Sequence, residues 1–337
     1  MTRKEPPGPH AGPTSPTKLT RGSLWTAIKR TFVEFDQDNA WDWAAALTYY
    51  GVLSIFPGLL VLVSLVGLFG RQSIQPLLDS INGVAPGPVR AILTDSVHGL
   101  EDHAGKAGLV ALVGLAVALF SASGYIGAFM RAANAMYDVP EGRPMWKTIP
   151  IRIGVTAVVG VLLVVSALIV ILSGDLATAV GRGLGLESTT VALWSGLKWP
   201  VLVVLVSLMF GVLYRTAPNA RQGGLRWITP GGVFAVILWM LVSVLFGLYA
   251  SHFASYDATY GTLGGVVVFL VWLWLSNLAL LLGAELDSEL ERQRAVAAGH
   301  PPDAEPYLRL RDNRGIDDDR GTHDRQAEPG LADPGRR

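Results

Sequence analysis

The residues of this chain best suited to metal or proton chemistry are its six histidines, at His10, His98, His103, His252, His300 and His323. No two have the i, i+2 or i, i+4 spacing that lets a pair grip one ion, and no acidic cluster stands beside them, so a metal-dependent hydrolase is unsupported. The absence of cysteine removes disulfides, thiolate metal sites and a thiol nucleophile. Gly181-Arg182-Gly183-Leu184-Gly185 is glycine-rich, but it lacks a flanking strand and the G-x-G-x-x-G spacing, and it reads as a turn. No Walker A sequence occurs and no Ser–His–Asp grouping can be argued from spacing. No catalytic residue, cofactor or metal is expected.

Ionisable residues deep inside a membrane span mark ion or proton paths, and the centres of the long apolar runs hold none. Glu285 and Asp287 stand at the end of the last run, where solvation or pairing with Arg292 is the default, and this weakens a proton-coupled reading. The remaining candidates are polar but uncharged, or shape the backbone. Asn277 is the one amide well inside an apolar run. It is read either as an interhelical hydrogen bond, worth about 1–2 kcal/mol, or as part of a substrate path. An amide left in hydrocarbon costs several kcal/mol, so Asn277 is expected to face other helices, with Tyr49, Tyr50 or Ser54 as partners. Pro57 follows those three and removes a backbone donor, so a kink is expected there, serving packing or opening a cavity. Asn134, Pro218, Tyr260 and Gly261 complete the candidate set of substrate-path or structural positions. Trp194, Trp199, Trp239, Trp272 and Trp274 are read as interfacial anchors or lipid-facing bulk.

The elements that carry these residues follow from how charge is distributed. Between Trp43 and Leu286, 22 of 244 residues are charged, against 32 of the other 93. A soluble domain carries charge on near a quarter of its residues, so an ordinary water-soluble enzyme is excluded. The net charge is zero, which gives no basic excess for nucleic acid. A spanning helix takes about 20 apolar residues, and helices are the only economical way to satisfy the backbone of such runs in lipid. The sequence predicts an all-α polytopic membrane protein with six spans, at about 44–69, 107–130, 152–174, 194–215, 228–250 and 262–285.

Lysine and arginine fall 22 to one side of those spans and five to the other, which predicts cytoplasmic N and C termini. Between Arg71 and Lys106 two amphipathic stretches flank Ala85-Pro86-Gly87-Pro88. They predict an outer helical hairpin, lying on lipid or packed as a lid. Asp175–Glu187 is a weaker version of the pattern. Residues 1–20 show no apolar stretch, so no cleavable signal peptide is expected. Disordered tails are expected at 1–20 and 293–337 around a membrane domain at 21–292.

Four stretches together resemble the YihY/BrkB family of bacterial inner-membrane proteins: Ala44–Pro57 (AAALTYYGVLSIFP), Tyr137–Trp146 (YDVPEGRPMW), Tyr214–Gly232 (YRTAPNARQGGLRWITPGG) and Tyr260–Leu290 (YGTLGGVVVFLVWLWLSNLALLLGAELDSEL). The resemblance covers about residues 20–292. It implies six transmembrane helices with both ends cytoplasmic, and it supplies no catalytic residues to carry over. Members have borne a ribonuclease BN label, links to virulence or serum resistance, and a suggested role in moving envelope lipids. The nuclease label conflicts with a chain offering no hydrolytic constellation. The expected function is a plasma-membrane transporter or flippase-like protein for a lipid or amphiphilic envelope component. The alternative is a non-transporting envelope assembly or scaffold protein. Membrane lipids are the expected partners.

Overall fold

A computed structural model describes residues 6–8, 11–67, 107–171, 188–253 and 257–316. After a single 3-10 turn at Pro16–Lys18, the helices are α1 (Arg21–Gln37), α2 (Ala40–Gly67), α3 (Ala107–Met136), α4 (Met145–Ile171), α5 (Ser188–Thr216), α6 (Leu225–Phe253) and α7 (Asp257–Ala297). Thr20 starts α1 by accepting a hydrogen bond from the Ser23 amide at 3.1 Å, which satisfies one of the amides a helix start leaves free. Asn39, at φ 54°, turns the chain into α2 in the left-handed region that asparagine tolerates better than most residues.

Helices α2 to α7 pack in chain order, and α7 returns to α2, which closes a ring. Helix α7 also touches α3 across it and takes α1 along its far end. The outward faces of α4, α5 and α6 remain apolar and exposed, as at Val161, Leu163, Val204, Leu208, Val244 and Leu245. Lipid tails can cover such a surface without loss, whereas water cannot.

The expectation of six spans is corrected. Among the described residues four helices are long and apolar enough to cross a membrane, at Met145–Val170, Gly196–Thr216, Pro230–Tyr249 and Gly264–Ala297. The stretches expected as the first and second spans are helical in α2 and α3. Their described parts bury Ala44, Leu47, Ile126, Phe129 and Met130 in the protein core. A helix that is apolar all round can face a protein core or lipid, and a hydropathy run alone does not separate the two. The outer hairpin and the Asp175–Glu187 segment lie outside the described residues.

The tail also departs from expectation. Helix α7 runs on to Ala297, and residues 300–316 fold back over the ends of the helices. The Arg221 amide donates to the Arg309 carbonyl at 2.8 Å, and the Arg311 amide to the Asn219 carbonyl at 3.0 Å. Gly142 permits this approach: a Cβ there would lie 2.3 Å from the Asp312 carbonyl oxygen. Composition favours disorder, but Tyr307 and Leu308 supply the apolar surface that anchors the segment, at 1% and 0% exposed.

Candidate functional site

Two polar assemblies lie inside this frame. The first joins three helices. Asn277 on α7 is buried; its amide donates to the Thr48 hydroxyl of α2 at 3.1 Å and its carbonyl accepts from the Tyr125 hydroxyl of α3 at 2.9 Å. Its partners are therefore Thr48 and Tyr125 rather than Tyr49, Tyr50 or Ser54. Tyr49 points outward at 62% exposed. Tyr50 lies over α3 at Gly124, where a Cβ would come within 3.1 Å of its ring. Ser54 donates back along α2 to the Tyr50 carbonyl at 2.7 Å. The side chains of Pro57 and Tyr260 and the surroundings of Gly261 lie outside the described residues. The result is a seam of neutral donors and acceptors between apolar helices.

The second assembly caps the bundle where the loops meet the end of α7. Asn134 accepts from the Asn219 amide at 2.7 Å and donates to Glu141 at 2.8 Å. Glu141 accepts two bonds at 2.7 Å from the Arg143 guanidinium, and Arg143 also donates to the Ala217 carbonyl at 2.7 Å at the end of α5. Burial alone would raise the Glu141 carboxyl, but Arg143 and the Asn134 amide hold it below its ordinary range. Pro218 is buried beside Asn219, whose side chain donates to the carbonyls of Pro140 and Asp312. One asparagine thus ties three segments together.

Glu285, Asp287, Glu289, Glu291, Arg292 and Arg294 of α7 are all buried here. The expected solvation or Arg292 pairing of Glu285 and Asp287 is corrected. Asp287 accepts from the Gly231 amide at 2.7 Å, and Glu285 accepts from the Ser288 hydroxyl at 3.3 Å, beside the charge of Asp38 at the end of α1. Arg292 instead engages Glu289 at 3.2 Å, together with Asp138, while Arg294 pairs with Glu291 at 2.5 Å. Gly231 and Gly283 let α6 and α7 close on this point, since a Cβ on Gly231 would lie 2.1 Å from the Gly283 carbonyl oxygen.

Asp38 makes the cap sensitive to pH. Burial first, then the charges of Asp138 and Glu34, push its carboxyl from 3.8 up to about 7; burial similarly raises Asp138 to about 6. Between the ordinary and raised values the folded protein holds protons that the unfolded chain has released. Stability is therefore expected to fall as pH rises across that window and to level off above about pH 7. Glu141 acts in the opposite sense, but in a lower window, at and below its ordinary 4.5. Unfolding temperatures in detergent should be higher at pH 5 than at pH 8, with a shallower slope in Asp38→Asn. An Asp38→Asn protein keeping the full slope would remove Asp38 as its source.

Among the described residues no group of three or more His, Asp or Glu could hold a metal ion, and the chain has no cysteine nucleophile. The description "Virulence factor BrkB" fits residues 31–307, which include both assemblies except Asp312. The chain belongs to the YihY/BrkB family. It is a multi-pass membrane protein, and the family is not a known catalytic one. A Bacillus subtilis (strain 168) relative named as the ribonuclease-like protein YfkH is 30% identical over 280 residues, covering 83% of this chain and 98% of that protein. A UPF0761 membrane protein of Xanthomonas campestris pv. campestris (strain B100) is 30% identical over 288 residues, covering 82% of this chain and 64% of its own. Another from Alkalilimnicola ehrlichii is 28% identical over 285 residues, with 79% and 59% covered. The chain thus spans less than two thirds of the length of these UPF0761 relatives. No solved structure matches it.

Proposed function

We propose that this YihY/BrkB protein moves a lipid or amphiphilic envelope component within the plasma membrane, as a transporter or flippase-like protein, with both termini in the cytoplasm. The observation that carries the reading is the Thr48–Asn277–Tyr125 bridge, a half-buried neutral seam at the meeting of three helices. A head group passing such a seam exchanges hydrogen bonds without needing an ion relay. The excess of Lys and Arg on the cap side supports the orientation. The ribonuclease-like name of the Bacillus relative finds no support in this chain's residues.

The competing reading, a non-transporting envelope assembly protein, is favoured by the engagement of both ends of the Asn277 amide with protein. Reconstitution with a fluorescent lipid separates the two. The wild type is expected to speed lipid exchange between leaflets, and Asn277→Leu to insert and fold but lose most of that acceleration. Wild-type liposomes no faster than empty ones would reject transport. A fully active Asn277→Leu would make the seam structural.

A further inference from the structure

Arg152 lies within the candidate span Met145–Val170, about two turns or 10 Å from its start. A cation inside a span is costly unless it pairs or reaches the interface. Its Nε donates to the Ser123 carbonyl of α3 at 3.2 Å, and one terminal nitrogen donates to the Ser123 hydroxyl at 3.0 Å. The guanidinium lies against the backbone at Gly127, where a Cβ would come within 2.9 Å of Nε and 3.0 Å of Cζ. Among the described residues no Asp or Glu pairs with it. Two of its three nitrogens are thus held by neutral groups, which orients a charge that nothing described neutralises. Arg131 stands on the same stripe of α3, four residues past Gly127, exposed and likewise without an acidic partner among the described residues. Phe120, one turn before Ser123 on α3, presents an apolar ring that is 64% exposed.

We propose that Arg152 and Ser123, at the seam of α3 and α4 with Arg131 beside them, bind a phosphate-bearing anion, with an anionic lipid head group as its source. A guanidinium held on one edge still presents donors that suit phosphate oxygens. The acyl chains would lie along Phe120 and its apolar neighbours. The assignment deepens the transport reading by naming a substrate class, and it rests on that reading only for the movement of the lipid once bound.

The test is thermal unfolding of the full chain in neutral detergent, with added phosphatidylglycerol, phosphatidylcholine or inorganic phosphate. Phosphatidylglycerol is expected to raise the wild-type unfolding temperature more than phosphatidylcholine does. In Arg152→Gln the lipid concentration for half the shift should rise about tenfold or more, the loss of a charged hydrogen bond. Arg152→Lys should recover part of it. Gly127→Ala keeps the arginine but displaces it, and should weaken the shift too; it and Arg152→Lys decide the matter if Arg152→Gln does not fold. A comparable Arg152-dependent shift with inorganic phosphate would keep the anion site and assign it a soluble ligand, overturning the lipid source. Equal shifts in wild type and variants, or phosphatidylcholine as effective as phosphatidylglycerol, would overturn the proposal. An Arg152-dependent shift without lipid exchange would sink the transport reading alone, and exchange without a shift would sink this inference alone.

Discussion

Replacing Arg292 with alanine is expected to destabilise the protein by about 3–5 kcal/mol, the usual cost of removing one partner from a buried ion pair. Its side chain is 4% exposed beside a Glu289 at 2%, and it also meets Asp138 and, at 3.5 Å, Glu305. Without it, three carboxylates converge with Arg30 as the cation left beside Glu289, at 2.9 Å. Arg292→Lys should cost less, because the charge survives while the planar fork is lost. Thermal unfolding in detergent reads both variants. An alanine variant that unfolds at the wild-type temperature would show that water solvates the cap and that its ion pairs contribute little.

This cap is poorly legible in the sequence, although every residue in it is visible there. Glu285 and Asp287 end an apolar run, where solvent is the ordinary company for a carboxylate. Their burial comes from Asp38 and Gly231, which are distant along the chain. Asn277 is legible as an inward-facing amide on desolvation cost alone. Its partners are not, since Thr48 and Tyr125 stand 229 and 152 residues away in sequence. Arg152 opens the span expected at 152–174 and reads there as its flanking charge; α4 begins at Met145 and carries it about two turns inside. Helix α1 does carry a readable signal. Ala27, Thr31 and Phe35 recur every four residues and are its buried positions, behind the Thr20 cap. The spans differ in kind: apolar length shows that a helix must be covered, while protein or lipid as the cover depends on neighbours that hydropathy does not contain.

The tail segment over the cap gives the remaining large effect. Tyr307→Ala is expected to cost about 3–5 kcal/mol, as for other large aromatic truncations in a core. The ring is 1% exposed, its hydroxyl donates to the Ser288 carbonyl at 3.2 Å, and the Arg292 guanidinium lies 4.5 Å from the ring centroid. Tyr307→Phe keeps the ring and should lose only about 1 kcal/mol with the hydrogen bond. Arg314→Ala, in the same segment but with a side chain 58% exposed, should change stability by no more than about 0.5 kcal/mol. Since Tyr307 and Arg292 touch, their double variant should cost less than the two single losses added together, with a coupling of about 0.5–3 kcal/mol. Strict additivity would separate the tail from the ion-pair cluster energetically. If Tyr307→Ala proves as mild as Arg314→Ala, the segment at 300–316 is not what holds the cap closed. If the large loss and the coupling both appear, the tail, the 137–144 loop and the end of α7 form one cooperative unit. The charges buried at the end of α7 would then owe their exclusion from water to a segment that composition alone assigns to disorder.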